Sequence, residues 1–181
     1  MKPLHHMYFV AIVCPAELNK KILAFKLWMK DQFGCIVALR SPAHITLIPP
    51  FWISEDKEPV LLDIVSNFKT NKDAIPIETA GFDHFAKRVL FVAIKDEPHL
   101  NEIKRDVKVY FLDALGDIIK KEERAFHPHI TIANRDMKPS DFVKAWEHFS
   151  GKNFGEKFQA DTVSLLRLYP DQWKVVAETR W

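Results

Sequence analysis

The same short pattern occurs once in each half of this 181-residue chain. His44-Ile45-Thr46-Leu47 and His129-Ile130-Thr131-Ile132 each place a histidine, an isoleucine, a threonine and an apolar residue in succession. Alternation of this kind, with β-branched residues, predicts a strand. Residues two apart in a strand point to the same face. Each copy therefore presents a histidine and a threonine on one face and an isoleucine on the other.

One copy alone is an ordinary half-exposed strand, whereas two copies in matching contexts favour a shared function. Histidine can carry a proton near neutral pH, and a neighbouring hydroxyl can hold a phosphate oxygen. Two such copies facing one another would supply one acid and one base. We therefore identify four candidate catalytic residues, which are His44, Thr46, His129 and Thr131.

The doubled pattern resembles the two-histidine phosphoesterases, which include the bacterial RNA 2′,3′-cyclic phosphodiesterases also called 2′-5′ RNA ligases. Strand-like segments elsewhere in the chain resemble further parts of that family, namely Met7–Ile12, Arg88–Ile94, Val163–Tyr169 and Trp173–Trp181. Hairpin strands with intervening helices predict an α+β class with antiparallel sheets. The resemblance implies that residues 1–181 form a single bilobal domain. It also implies two antiparallel sheets with flanking helices around a central cleft, related by an internal pseudo-twofold repeat.

The resemblance further implies opening of 2′,3′-cyclic phosphodiesters without a metal or other cofactor. His129 would deprotonate water and His44 would protonate the leaving ribose oxygen, while Thr46 and Thr131 would donate to non-bridging oxygens. The expected partner is RNA with a 2′,3′-cyclic phosphate or a small cyclic nucleotide, and hydrolysis and 2′-5′ ligation are both open. The alternative is a non-catalytic module that binds nucleotides or RNA ends.

Four further residues are candidates for substrate binding. Phe9 lies on the segment that resembles the strand lining the family's cleft. Phe51 and Tyr169 fall near predicted strand ends, where a ring could stack on a base. Arg135 follows Asn134, which occupies the position where the family often has a basic residue. A one-residue offset would turn the Arg135 side chain to the other face if the strand continued there.

His127-Pro128-His129 is an alternative site, because two histidines separated by one residue can bind a metal. No third ligand at an informative spacing accompanies them in the sequence. We therefore expect no metal site and expect His127 to orient the loop.

Composition limits the remaining options. A formal net charge of +2 does not indicate a surface for duplex nucleic acid, although it permits a local phosphate pocket. Cys14 and Cys35 lack metal-binding or disulfide spacing, which fits a reducing compartment. No apolar run reaches the ~20 residues of a membrane span. We expect a cytoplasmic monomer that does not contact a membrane.

Hydrophobic periodicity predicts the order β-α-β-β-α-β-β-α-β-α-β-β. The pattern predicts a short strand over Ile36–Leu39, a long helix over Pro98–Lys121 and one strand over Phe158–Leu168. Pro49 and Pro50 must either end the first H-x-T strand or confine it to a sheet edge.

Overall fold

Two antiparallel sheets and four helices form the protein in a computed structural model that describes residues 4–119 and 124–181. Within those residues, sheet one has the order β2-β1-β7-β8 and sheet two the order β5-β4-β3-β6. The strands of sheet one are β1 (His5–Val13), β2 (His44–Ser54), β7 (Thr162–Leu168) and β8 (Trp173–Arg180). The strands of sheet two are β3 (Ile75–Phe85), β4 (Val89–Ile94), β5 (His129–Ala133) and β6 (Lys157–Ala160). The expected α+β class is confirmed.

Both H-x-T strands lie at an edge, β2 in sheet one and β5 in sheet two. Each begins at its histidine. The edge position explains how β2 contains Pro49 and Pro50, since a proline on an edge strand need not donate to a neighbour. Two irregularities in the β1–β2 register lie opposite this part of the strand.

The helices are α1 (Ala16–Phe33), α2 (Glu58–Asn67), α3 (Pro98–Leu115) and α4 (Pro139–Phe149). Helix α1 packs on β5, and α3 packs on β2. Helix α1 precedes β2 in the chain but contacts β5, and helix α3 precedes β5 but contacts β2. One hydrophobic core includes residues of both sheets and all four helices. No helix within 4–119 and 124–181 is long and apolar enough to span a membrane.

Helix ends follow local chemistry. Helix α1 ends where Gly34 adopts the left-handed conformation, with φ of 72°, and its N–H donates to the Lys30 carbonyl at 2.7 Å. Helix α3 ends at Leu115, earlier than the periodicity predicts, because the chain tightens into a 3-10 turn over Gly116–Ile118. The last two residues of the predicted helix, Lys120 and Lys121, lie outside the described residues.

The prediction of a strand over Ile36–Leu39 is wrong. A 3-10 turn occupies Val37–Arg40 instead. The N–H groups of Ile36 and Val37 donate to Oδ2 of Asp136 at 2.6 and 2.8 Å. A distant carboxylate thus binds the donors that a neighbouring strand would need.

The predicted strand over Phe158–Leu168 is two strands. Strand β6 pairs with β3 in sheet two, whereas β7 pairs with β1 and β8 in sheet one. Asp161 lies between them, so the chain passes from one sheet to the other at this residue. Apolar periodicity alone cannot show a change of hydrogen-bonding partner. The final hairpin, β7 with β8, is confirmed.

Candidate active site

The two H-x-T strands show the same alternation of burial. Ile45 in β2 and Ile130 in β5 are fully buried, and the next apolar residue of each strand, Leu47 or Ile132, is also buried. The histidine and threonine of each strand are half-buried on the opposite face. The predicted division between a core face and a polar face is therefore present in both copies.

Each histidine is held by the carbonyl two residues before it. Nδ1 of His44 lies 2.7 Å from the Pro42 oxygen, and Nδ1 of His129 lies 2.7 Å from the His127 oxygen. A carbonyl only accepts, so Nδ1 must carry the proton in both rings. Nε2 is then the atom of each ring that can take up or release a proton.

A cavity of about 180 Å³ lies beside these strands. His44 and Thr46 line it from β2, and Thr131 lines it from β5. His129 is not among the lining residues, but it shares the Thr131 face of β5 and its charge acts on His44. The other residues that line the cavity are Phe9, Val37, Ala38, Ser41, Pro50, Asn134, Arg135 and Trp173.

Phe9 forms part of the cavity wall. It is 3% exposed, and its ring centroid lies 4.7 Å from that of His44 and 4.6 Å from that of Trp173. Phe9 therefore packs between the histidine and the tryptophan and presents little surface of its own. Trp173 is a wall residue that sequence reasoning missed, because it lies at the start of the last strand without a motif around it.

Arg135 and Asn134 both line the cavity. Strand β5 ends at Ala133, and Arg135 lies in the turn that follows. The alternation of a continued strand consequently does not apply to Arg135. Asp136 joins this turn to the segment before β2 through its bonds to the N–H groups of Ile36 and Val37.

Phe51 and Tyr169 do not line the cavity, which corrects their predicted role in binding substrate there. Phe51 is 4% exposed and stacks on Tyr8 in the core, at a centroid distance of 6.2 Å. It lies on the core face of β2, as Ile45 does. The Tyr169 ring lies 5.1 Å from the Arg167 guanidinium and 5.2 Å from Nζ of Lys174.

Helix α1 holds the segment that leads into His44. Oδ1 of Asn19 accepts from the Ala43 N–H at 2.6 Å, and Nδ2 of Asn19 donates to the Cys14 carbonyl at 2.8 Å. Nζ of Lys26 donates to the Ser41 carbonyl at 2.9 Å. Neither residue belongs to a recognisable motif, so sequence reasoning missed this support.

The family model described as the 2′-5′ RNA ligase superfamily matches residues 15–172. The chain belongs to this superfamily. A search of curated protein sequences found no match. The matched range contains both H-x-T strands and every cavity residue except Phe9 and Trp173.

Solved structures share the superfamily fold along nearly the whole chain. TT0787 of Thermus thermophilus is 18% identical with a TM-score of 0.66, and the alignment covers 96% of this chain and 97% of that one. E. coli LigT complexed with NADP+ is 17% identical with a TM-score of 0.68, covering 99% and 98%. E. coli LigT complexed with 3′-AMP is 16% identical with a TM-score of 0.66, covering 98% of each.

The site of this superfamily member disfavours protonated histidine. Burial lowers the pKa of His44 to about 4, and the charges of Lys26 and His129 act in the same direction against the Pro42 hydrogen bond. Burial also lowers the pKa of His129, against the hydrogen bond to the His127 carbonyl. Burial lowers the pKa of Lys26 itself to about 8. Protonation of either imidazole at pH 7 is therefore disfavoured in the free protein.

His127 lies on the protein surface beside two aromatic rings. Its ring centroid is 5.1 Å from that of Phe85 and 5.7 Å from that of Phe91. Its main-chain carbonyl accepts from Nδ1 of His129, a contact that does not require a histidine side chain at this position. Within the described ranges, no group of three or more His, Cys, Asp or Glu side chains is arranged to hold a metal ion.

Proposed function

We propose that this protein opens 2′,3′-cyclic phosphodiesters on RNA ends or nucleotides, without a metal, by acid–base catalysis between His44 and His129. The observation that carries the proposal is the shared anchoring of the two imidazoles. Each Nδ1 lies 2.7 Å from a carbonyl, which leaves each Nε2 available for proton transfer. Superfamily membership and the nucleotides complexed with E. coli LigT support a nucleotide substrate.

In the proposed reaction, one neutral imidazole takes a proton from water as the water oxygen attacks phosphorus. The bond between phosphorus and one ribose oxygen breaks, and that oxygen takes a proton from the other imidazole, which enters as imidazolium. The product is a ribose phosphomonoester with a free neighbouring hydroxyl. If the 5′-hydroxyl of a second RNA attacks in place of water and the bond between phosphorus and the 3′ oxygen breaks, the same proton transfers give a 2′-5′ linkage.

The remaining polar groups suit the charge that develops on phosphorus. Thr46 and Thr131 line the cavity from the two H-x-T strands, and their hydroxyls would donate to non-bridging oxygens. Arg135 lines the same cavity, and its guanidinium would supply a positive charge. This role for Arg135 is the one expected of a basic residue following the second H-x-T strand.

The electrostatics favour one assignment of acid and base. A base must be neutral when substrate binds, and the pKa of about 4 keeps His44 neutral over most of the pH range. Burial and the charge of His127 lower the pKa of His129. The pKa of His44 is lowered by burial and by two charges, those of Lys26 and His129, so more charges oppose protonation of His44 than of His129. We therefore propose His44 as base and His129 as acid, the reverse of the roles that the family resemblance implies.

The direct test is turnover of cytidine 2′,3′-cyclic phosphate, followed by ³¹P NMR with and without EDTA. We expect ring opening by the wild-type protein in EDTA and its loss in His44→Ala and His129→Ala. Binding without turnover would instead support the non-catalytic module. Loss of turnover in EDTA with recovery on adding zinc or manganese would support the metal site at His127 and His129.

A further inference from the structure

A second cavity of about 340 Å³ opens beside the candidate active site. Helix α1 contributes Lys20 and Leu23 to its wall, the 3-10 turn contributes Arg40, and the loop between β7 and β8 contributes Gln172. Ser41 and Trp173 line both cavities. The two cavities therefore lie on either side of shared walls.

The charge of this second cavity is positive. Among the residues that the structure describes, Lys20, Lys26 and Arg40 line it and no carboxylate does. Lys26 is buried and donates to the Ser41 carbonyl, so it supports the wall. Lys20 pairs with Glu17 at 2.8 Å, but both side chains are more than 70% exposed, and such a pair contributes little energy. Lys20 and Arg40 are thus the lining cations that can bind an anion in this cavity.

The second cavity also has apolar surface. Leu23 is 45% exposed, and Trp173 is half-buried with its ring edge-on to Phe9. An indole wall beside cations is typical of sites that bind single-stranded nucleic acid, because bases stack on aromatic rings while cations meet phosphates. The series of rings His44, Phe9 and Trp173 runs from the candidate catalytic strand to this wall.

The sizes of the two cavities also favour a ligand that extends from the first cavity into the second. A cavity of about 180 Å³ is smaller than the ~300–1,000 Å³ typical of small-molecule sites, so it suits the cyclic phosphate and its ribose. A longer ligand must extend beyond it. The adjoining cavity lies within that typical range and carries the opposite charge to RNA.

We propose that the second cavity binds the nucleotide that precedes the terminal one in single-stranded RNA ending in a 2′,3′-cyclic phosphate. Arg40 and Lys20 form ion pairs with the phosphate that links the two nucleotides, and the base of the preceding nucleotide packs against Trp173 and Leu23. This inference rests on the proposed function and narrows it, since it makes an RNA end a better substrate than a mononucleotide.

The test compares binding of two RNA-end products by calorimetry. One is a dinucleotide with a terminal 3′-phosphate, and the other is the matching mononucleoside 3′-phosphate. We expect tighter binding of the dinucleotide, with the ratio of the two affinities falling about fivefold in Arg40→Gln and by about as much in Lys20→Gln. Lys30→Gln, an exposed change on the same helix, and Arg105→Gln on α3 serve as controls that keep the ratio.

A dinucleotide whose internucleotide link is an uncharged methylphosphonate isolates the charge contribution. It loses the contacts of both Arg40 and Lys20, so it should bind the wild-type protein more weakly than the charged dinucleotide binds either single variant, and about as weakly as the charged dinucleotide binds the double variant Arg40→Gln/Lys20→Gln. Equal affinities for dinucleotide and mononucleotide, or equal losses for both in Arg40→Gln, would overturn the proposal. Because binding is measured without turnover, a dinucleotide preference in a protein that opens no cyclic phosphate would uphold this cavity while refuting the proposed function.

Discussion

His44 and His129 occupy the same position in two different sheets. Each is the first residue of an edge strand, and each has Nδ1 2.7 Å from the carbonyl two residues before it. The long helix that precedes one of these strands packs on the other strand. A displacement of either helix would therefore affect both halves of the candidate active site.

The pH dependence follows from the lowered pKa values of both histidines. Acid–base catalysis by a pair needs one neutral and one protonated ring, so kcat/KM follows a bell centred between the two free-enzyme pKa values. Both values lie below the ordinary 6.5 because burial disfavours the charged form. We expect the maximum of kcat/KM below pH 6.5. A maximum above pH 7 would contradict the electrostatic description.

Single variants assign the limbs of that bell. The acidic limb belongs to the base, because protonation inactivates it, and the alkaline limb belongs to the acid. With His44 as base, the residual activity of His44→Asn should lose the acidic limb, and that of His129→Asn should lose the alkaline limb. Stopped assays of both variants from pH 4 to 9 measure this. The opposite pairing of limbs and variants would restore the roles implied by family resemblance.

Lys26 provides a test of the charge near His44. The Lys26 charge lowers the pKa of His44, so Lys26→Met should raise that pKa toward 6.5. Titration of the His44 ring by NMR measures the shift. Lys30→Met, an exposed change on the same helix, is the control and should leave the His44 titration in place. An unchanged His44 pKa in Lys26→Met would show that the Lys26 charge does not contribute to it.

Lys26 also predicts how stability depends on pH. Its folded pKa of about 8 lies below the ordinary 10.5, so between these values the unfolded chain binds more protons and stability rises with pH. Burial raises the pKa of Cys14 to about 12, which has the opposite effect above pH 9. The difference in urea unfolding free energy between wild type and Lys26→Met removes the Cys14 contribution. Relative to Lys26→Met, the wild-type protein should become more stable as the pH rises from 7.5 to 10. A difference that stays constant over this range would refute the lowered pKa of Lys26.

Asp136 links the turn after β5 to the segment before β2. Asp136→Ala removes the acceptor of the Ile36 and Val37 N–H groups and should destabilise the protein by about 1–2 kcal/mol in urea unfolding. Asp136→Asn keeps one acceptor oxygen and should cost less. Asp113→Ala, an exposed change on α3, is the control. Equal stability of Asp136→Ala and wild type would show that the link contributes nothing.

Local alternation was sufficient to predict the polar and core faces of β2 and β5, because burial in a strand follows a period of two. Alternation with a period of two also places Phe51 on the same face as Ile45, which is the core face. Pro49 and Pro50 instead suggest that the strand stops there, and for this reason the sequence predicts Phe51 near a strand end. The 3-10 turn at Val37–Arg40 depends on Asp136, 100 and 99 positions from the N–H groups that it accepts. Contacts at such separation have no signature in local periodicity.

The positions of Arg135 and Trp173 required the three-dimensional structure for a similar reason. Arg135 reaches the cavity because β5 ends two residues earlier, and strand ends are the least certain part of a pattern. Trp173 reaches it because only β7 separates β8 from β1 in sheet one, and Phe9 of β1 contacts the Trp173 ring. Neither fact follows from residue types.

Joint action of His44 and His129 on a cyclic phosphodiester is the central claim, and kcat/KM for cytidine 2′,3′-cyclic phosphate tests it most directly. We expect His44→Ala and His129→Ala each to lower kcat/KM by about 10²–10⁴-fold, the usual contribution of one acid or base. The double variant should lose less than the product of the two single losses, because the pair works as a unit. His127→Ala should keep most of the activity. Nearly full activity in either single variant, with both proteins folded by circular dichroism, would contradict the two-histidine mechanism.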